Sequence, residues 1–467
     1  MGSSSASRDV SLVSCDSSDP AVNPSAHASR RREDGLAIFS AAVAAVDPFA
    51  LVRANLHLAD GDLHVGPHTI PLTDTGRVIV VGAGKATPAM ARAVEHALGD
   101  RIHSGAINTK HDHAVPLTRI TTVECSHPIP DADGVAGAHC ILQLLEGLSE
   151  QDVVLCLLSG GGSALMPMPA PGLSLDHKGR TTAALLACGA TIDEINVIRK
   201  HLSAIKGGWL ARRAMPARVV SLMISDVIGD PLDTIASGPT AADPSTFADC
   251  LKIVATYGIA RGIPAEVMHH LEAGAAGQLP ETPKPGDPAF ERTDNLIIGN
   301  NTLALAAART EATRRGYQPL ILSSRIAGET RHIASMHVAI AREVAATGQP
   351  LPAPACLISG GETTVTIKGD GKGGRNQEFV LAAALDLDGC DGITVLSCGT
   401  DGTDGPTDAA GALADGASVA RAAAAGLHAS TYLLNNDSYR FFEQLGDLVI
   451  TGPSGTNVMD LRLLLIG

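Results

Sequence analysis

Residues 152–166, DVVLCLLSGGGSALM, constrain the chain most: an apolar run that stops at three consecutive glycines flanked by two hydroxyls. Residues 153–158 are all Val, Leu or Cys, the composition of a strand buried on both faces of a helix-covered parallel sheet. Gly160, Gly161 and Gly162 leave a backbone free to take positive φ, so successive N–H groups can converge on an oxyanion with no Cβ in the way. Ser159 and Ser163 add hydroxyl donors on either side. Such a loop suits phosphate, although a tight strand-to-helix turn of small residues explains the triplet equally well when it is taken alone.

Repetition favours the functional reading. Four further apolar runs end in glycine with a polar or charged residue: VIVVGAGKA (78–86), LIIGNN (296–301), CLISGGET (356–363) and TVLSCGTDGTDG (394–405). In open α/β sheets the loops at the carboxyl ends of strands line the ligand crevice, so the five runs together imply one large polar site. A composition of 45% hydrophobic but only 3% aromatic residues, with 49 Gly in 467 residues, makes the core one of Ala, Val, Leu and Ile. That is the composition of an α/β chain long enough for two or three domains. A formal charge of −14 argues against a nucleic-acid or acidic-membrane partner, so an anionic substrate must be met by local cations. No apolar run reaches the ~18–20 residues of a membrane-spanning helix, and a soluble chain is expected. The nine scattered cysteines show no CxxC spacing and read as small core residues in a reducing, cytoplasmic compartment. The oligomeric state stays open, a homo-oligomer included.

Residues 1–32, Ser-rich and ending in Arg30, Arg31 and Arg32, show no periodic apolar pattern and are expected to form a flexible tail. From residue 33 helical spacing begins, and a strand over 78–81 leads into GAGKATPAM. This turn is neither a Walker A loop, since Ile79 stands where its first Gly is needed, nor a dinucleotide fingerprint, since Thr87 replaces the third Gly. It leaves Lys85 at a helix start, where backbone donors and an ammonium can meet one anion. The alternative is a surface lysine, although the helix dipole disfavours one there. Within residues 191–214 an apolar stripe at helical spacing (Ile195, Ile198, Leu202, Ile205) is expected, with Asn196, Arg199, Ser203 and Lys206 on the adjoining face as a substrate clamp or as solvated basics, and a helix end at Gly207-Gly208. The strand over 219–224 delivers SDVIGD, whose Asp226 and Asp230 suit Mg²⁺ held through few protein oxygens, or alternatively cap a turn. ASGPT follows, another loop of small residues.

The Pro- and Gly-rich residues 274–292 form the expected boundary between a domain over 33–274 and a second over 293–467. Strand and helix then alternate again, and residues 363–368 show the period of an antiparallel strand. GDGKGGRNQE (369–378) sets Lys372 and Arg375 directly before a helix over 376–387, and the fork of donors on Arg matches carboxylate or phosphate. CGTDGTDGPTDAAG (398–411) brings Asp401, Asp404 and Asp408 on a small-residue loop that does not fit an EF-hand.

GAGKA, SGGGSALM, INVIRKHLSAIKGG, ISDVIGDP, ASGPT, SGGET, GKGGRNQE, GTDGTDGPT, NND and TGPSGTNVMD occur in this order. Together they resemble the glycerate 2-kinase family, whose C-terminal part is called the MOFRL domain. The resemblance runs from about residue 35 to the C-terminus and implies an α/β fold of two domains. The first would be a Rossmann-like three-layer domain, the second a MOFRL-type domain with a mixed sheet, and the site would lie in the cleft between them. It implies transfer of the γ-phosphate of ATP, with Mg²⁺, to the 2-hydroxyl of D-glycerate. The family's essential lysine and arginine match Lys85 and Arg375.

On this reading Lys85, Arg375 and Asp226 are catalytic, and Lys85, Arg199, Lys206 and Arg375 bind substrate. Ser159, Gly160, Gly161, Gly162, Ser163, Gly238, Thr240, Asn300, Glu362 and Asn376 form the nucleotide set, while Asp226 and Asp401 hold Mg²⁺. Some family members have been named hydroxypyruvate reductases, which makes an NAD(P)H-dependent reductase the alternative. Against it, the first glycine turn lacks its third Gly and the next strand, Ala106-Ile107-Asn108, ends with no acidic ribose ligand.

Overall fold

The computed structural model describes residues 24–467. A small antiparallel sheet of β1 (Leu56–Ala59), β2 (Asp62–Val65) and β3 (His68–Pro71) precedes two six-stranded sheets. The first of these contains β4 (Val78–Ala83), β5 (Ile102–Lys110), β6 (Ile120–Cys125), β7 (Val153–Leu158), β8 (Arg218–Ile224) and β9 (Thr293–Gly299). Their order is β6-β5-β4-β7-β8-β9, and every neighbouring pair is parallel. Every residue of β4 and β7 is buried. Val78, Val80, Leu155 and Leu157 enter one core cluster, whereas Ile79, Val81, Val154 and Cys156 enter another. The period of two thus feeds two separately covered faces, which is why these strands read as unbroken apolar runs. The chain builds outward from β4 to β6 and then returns to β7 on the other side. That reversal opens a crevice at the carboxyl ends of β4 and β7.

The second sheet is mixed. It contains β10 (Gln318–Ile326), β11 (Ala355–Gly361), β12 (Ile393–Gly399), β13 (Gly411–Asp415), β14 (Leu448–Val449) and β15 (Asp460–Ile466), in the order β10-β11-β15-β12-β13-β14. β15 is antiparallel to both β11 and β12, and its register sets Asp460 opposite Gly361 on one side and Gly399 on the other. The start of β15 therefore lies at the same sheet edge as the ends of β11 and β12.

Three expectations are corrected. The boundary expected at 274–292 does not separate the sheets, because β9 lies beyond it and still pairs with β8. Part of the expected tail is helix, since Pro24–Ala44 packs on the helix Asn301–Arg314 and on β12. In that helix Arg31 donates to Thr394 Oγ1 at 3.3 Å, and Arg32 pairs with Asp415 at 2.8 Å and Asp447 at 2.6 Å, so these cations anchor the helix to the second sheet. Residues 1–23 lie outside the described residues. Residues 363–368 form no strand: Gly361, at φ +112°, turns the chain out of the sheet, and Thr364 makes one isolated bridge to Glu329.

The helix expected to end at Gly207-Gly208 runs over Ile192–His201, and a second helix, Trp209–Ala214, starts directly after the two glycines. Gly207 (φ +57°) and Gly208 (φ +85°) lead into the second helix, and their N–H groups donate to Ser237 O at 3.0 Å and Gly238 O at 2.7 Å. Helices 24–44 and 301–314 send Ile38, Phe39, Ala304 and Leu305 into a core cluster that also holds Val80 and Leu155 of the first sheet and Leu396 and Leu463 of the second. No helix among the described residues is by itself long and apolar enough to cross a membrane.

Candidate active site

The two glycine turns at the switch point are held edge to edge. Lys85 N donates to Gly160 O at 2.9 Å, and a Cβ on Gly84 would come within 2.1 Å of Ser159 Oγ. Ser159 Oγ accepts from Ala86 N at 3.0 Å and contacts Thr87 Oγ1 at 3.2 Å, in a buried position. The hydroxyl expected to meet phosphate therefore joins the two loops and keeps Lys85 at the crevice.

Asp226, at the end of β8, lies directly over the glycine triplet: a Cβ on Gly160 would stand 2.3 Å from its Oδ2. Asn457 Nδ2, from the C-terminal polar turn, donates to the same oxygen at 3.2 Å. Lys85 Nζ faces Asp401 Oδ2, after β12, at 3.9 Å. Arg375 opens the helix Arg375–Asp386 and pairs with Glu362 Oε1 at 2.8 Å and with Asp460 through two bonds of 2.8 and 3.0 Å. Residues from the edges of both sheets thus meet across one cleft.

The electrostatics follow from this crowding. Burial pushes the Asp226 carboxyl up to about 6, with Glu362 adding to the effect and Lys85 opposing it. Glu362 is also raised, first by burial and then by Asp460 and Asp401, against Arg375. Burial works against the Arg375 charge, but Asp460 and Glu362 outweigh it and hold the guanidinium firmly protonated. Among the described residues no group of three or more His, Cys, Asp or Glu forms a ready metal cage. Mg²⁺ requires none, because it takes one or two carboxylates and keeps water and phosphate oxygens for the rest. A carboxylate cluster short of positive charge, as at Asp226, fits that mode of binding.

A cavity of about 1640 Å³ adjoins the cleft, lined among others by Gly161, Gly162, Ser163, Arg199, Lys206, Asp226 and Glu362. Ser163 Oγ lies 2.8 Å from Ser237 Oγ and accepts from Lys206 Nζ at 3.0 Å. Of the expected residues, Lys85, Gly160, Asp226, Glu362, Arg375 and Asp401 come together at the cleft, and Gly161, Gly162, Ser163, Arg199 and Lys206 at the cavity beside it.

Four members of the expected nucleotide set are engaged by partners within the protein or buried. Gly238 and Thr240 are buried, and Thr240 Oγ1 is bound by Ser221 Oγ at 2.8 Å and donates to Asn295 Oδ1 at 2.7 Å. Asn300 caps its helix through Leu303 N at 3.0 Å and donates to Asp230 at 2.7 Å. Asn376 is fully buried between Asp404, Asp460 and Ser397 and supports Arg375 from behind.

Asp460, Asn457 and Lys178 escape the reading of single residues. Asp460 gains its place only through the antiparallel register of β15, and no local pattern signals that. His127 stands against Gly161, with 3.1 Å between its ring and a Cβ placed there. Burial and the Lys85 charge push it down to about 4, so it is neutral.

Residues 34–272 match the family model of a domain of unknown function, DUF4147, and residues 355–460 match the MOFRL family. The chain is 43% identical over 399 residues to a D-glycerate 2-kinase of Thermotoga maritima, covering 85% of this chain and 93% of the relative. It is 39% identical to a glycerate 2-kinase of Pyrococcus horikoshii, covering 93% and 97%. A protein of Agrobacterium vitis named, with a qualifier, as a hydroxypyruvate reductase is 45% identical over 92% of this chain and 93% of its own. The crystal structure of a glycerate kinase from Thermotoga maritima superposes with a TM-score of 0.83 at 40% identity, over 94% of this chain and all of that one. With the Rossmann-like and mixed sheets meeting at Lys85 and Arg375, these likenesses agree with the motif order, and the chain belongs to the glycerate 2-kinase family.

Proposed function

We propose that this chain is an ATP-dependent kinase that phosphorylates the 2-hydroxyl of D-glycerate, giving 2-phosphoglycerate and ADP. The observation that carries the reading is that Lys85 and Arg375, from the edges of two different sheets, face one carboxylate cluster at the switch point. Phosphoryl transfer asks mainly for positioning and for neutralisation of charge on the transferred group. Lys85 and Arg375 supply that charge from opposite walls. Asp226, ionised at neutral pH, and Asp401 are the groups that would hold Mg²⁺, which when bound would neutralise charge on the phosphate oxygens. The α-carboxylate of glycerate pairs with whichever of the two cations the phosphoryl group leaves free. A cytoplasmic setting is supported by the eight described cysteines, all free.

A hydride-transfer reading has less support. Thr87, at the position of the third fingerprint glycine, is fully buried, and β5 presents the buried amide of Asn108, bound to Gly134 O and Leu165 O, where a ribose ligand would stand. Purified protein is incubated with ATP, Mg²⁺ and D-glycerate, and in parallel with NADH and hydroxypyruvate. Formation of 2-phosphoglycerate with no NADH loss is expected; NADH oxidation without phosphorylated product would overturn the proposal.

A further inference from the structure

The cavity beside the glycine loop carries three cations with no carboxylate partner among the described residues. Lys178 Nζ has only Met168 O, at 3.5 Å, and Lys206 Nζ has only Ser163, through its carbonyl and hydroxyl oxygens. The Arg199 guanidinium has no hydrogen-bond or ion-pair partner among the described residues, and all three line the same cavity. Their neighbour Lys200, by contrast, is paired with Asp233 at 3.2 Å and Asp243 at 2.9 Å. Burial opposes the charge on all three, Arg199 adds to it at Lys178, and Lys178 and Arg199 add to it at Lys206, so the charged cluster is costly without an anion.

Charge and size identify that anion. A single carboxylate would leave two of the cations uncompensated, whereas a polyphosphate chain meets all three. A cavity of about 1640 Å³ also exceeds the ~300–1,000 Å³ common for drug-sized ligands, far more than a three-carbon acid fills. Its lining includes three large aliphatic side chains left mostly in solvent: Ile129 (78% exposed), Leu186 (63%) and Ile192 (58%). Apolar surface gathered at one cavity marks a ligand surface, and a planar base has the faces to cover it.

We propose that this cavity seats a nucleoside triphosphate, with Lys178, Arg199 and Lys206 on its phosphates and Ile129, Leu186 and Ile192 against its base. The assignment rests on a nucleotide being the phosphate donor, and it leaves the Lys85 and Arg375 side of the cleft to the acid. Lys178 is the new phosphate contact.

Calorimetric titration tests it with a non-hydrolysable ATP analogue plus Mg²⁺, with AMP, and with D-glycerate, on wild type, Lys178→Gln and Arg199→Gln. Each variant is expected to lose about 10- to 100-fold in affinity for the analogue, the scale of one charged hydrogen bond, with a smaller loss for AMP and none for glycerate. Arg199 is partly exposed on its helix, so its variant keeps the test available if Lys178→Gln folds poorly. Variants that bind the analogue as wild type does, or that lose glycerate instead, overturn this assignment alone. Wild-type protein that binds no nucleotide at all overturns the donor reading and this assignment with it.

Discussion

Arg375 and Asp460 meet in a two-point ion pair, Nε to Oδ2 at 2.8 Å and Nη2 to Oδ1 at 3.0 Å. Asp460 is fully buried and also accepts from Asn376 Nδ2 at 2.9 Å and from the fully buried Arg462 at 2.8 Å, so one carboxylate aligns two guanidinium groups. Removing its charge takes away the ion-pair partner of Arg462 and leaves Arg375 with Glu362 alone. Asp460→Asn is expected to lose about 3–5 kcal/mol in urea unfolding, with at least ~10-fold lower kcat as Arg375 loses its alignment. Glu362→Gln removes the other anion of Arg375 at a side chain 45% exposed and is expected to cost under about 1 kcal/mol. Equal destabilisation by the two variants would contradict this division of labour.

Lys85 presents the opposite case. Its pair with Asp401 spans 3.9 Å between side chains about three-quarters buried, a long contact open to solvent on one side. Such a pair adds little to stability. Lys85→Met is expected to leave the urea midpoint within about 0.5 kcal/mol of wild type while lowering kcat by about 10²–10³-fold, the effect of deleting one preorganised charge at a reacting group. Unaltered turnover would remove Lys85 from the mechanism.

Gly160 separates conformational from steric need. Unlike Gly161, at φ +84°, it does not occupy the left-handed region, so alanine is compatible with its backbone. The obstacle is Asp226, whose Oδ2 would stand 2.3 Å from the new Cβ. Gly160→Ala should therefore push the carboxylate off its position, lowering kcat by about 10²-fold with the far-ultraviolet dichroism unchanged. An alanine variant with wild-type kcat would show that the position of Asp226 is not critical.

What the sequence discloses and what it hides divides along physical lines. β4 and β7 are legible because a strand buried on both faces has to be apolar throughout, and the glycine turns behind them are legible because the loops touch there. Roles inside the loops are not. Ser159 and Ser163 look alike in sequence, yet one fastens the Lys85 turn and the other faces the cavity. Pairings across long separations are hidden as well: β9 joins β8 beyond a proline-rich connection, and Asp460 reaches Arg375 from 85 residues away. The Pro24–Ala44 helix shows its apolar spacing only from residue 33, and its earlier part docks through Arg31 and Arg32, which leave no periodic trace.

Lys178 links the cavity to pH. Burial first, and then Arg199, push its ammonium down to about 7, against 10.5 for an ordinary lysine. Between those two values the unfolded chain binds more protons than the folded one, so stability of the empty protein rises with pH across this window. Below about pH 7 both states are protonated and the full cost of the buried charge is present. Lys178→Met is therefore expected to unfold at higher urea than wild type at pH 6.5, by about 1–4 kcal/mol, the range for replacing buried charges with apolar groups. The gap should close as pH approaches 10. Saturating ATP analogue should reverse the order at pH 6.5, because the bound anion compensates the lysine and stabilises only the protein that binds it well. A gap that does not change with pH would show that the Lys178 ammonium is solvated, and an order that the analogue leaves unchanged would separate this lysine from the nucleotide.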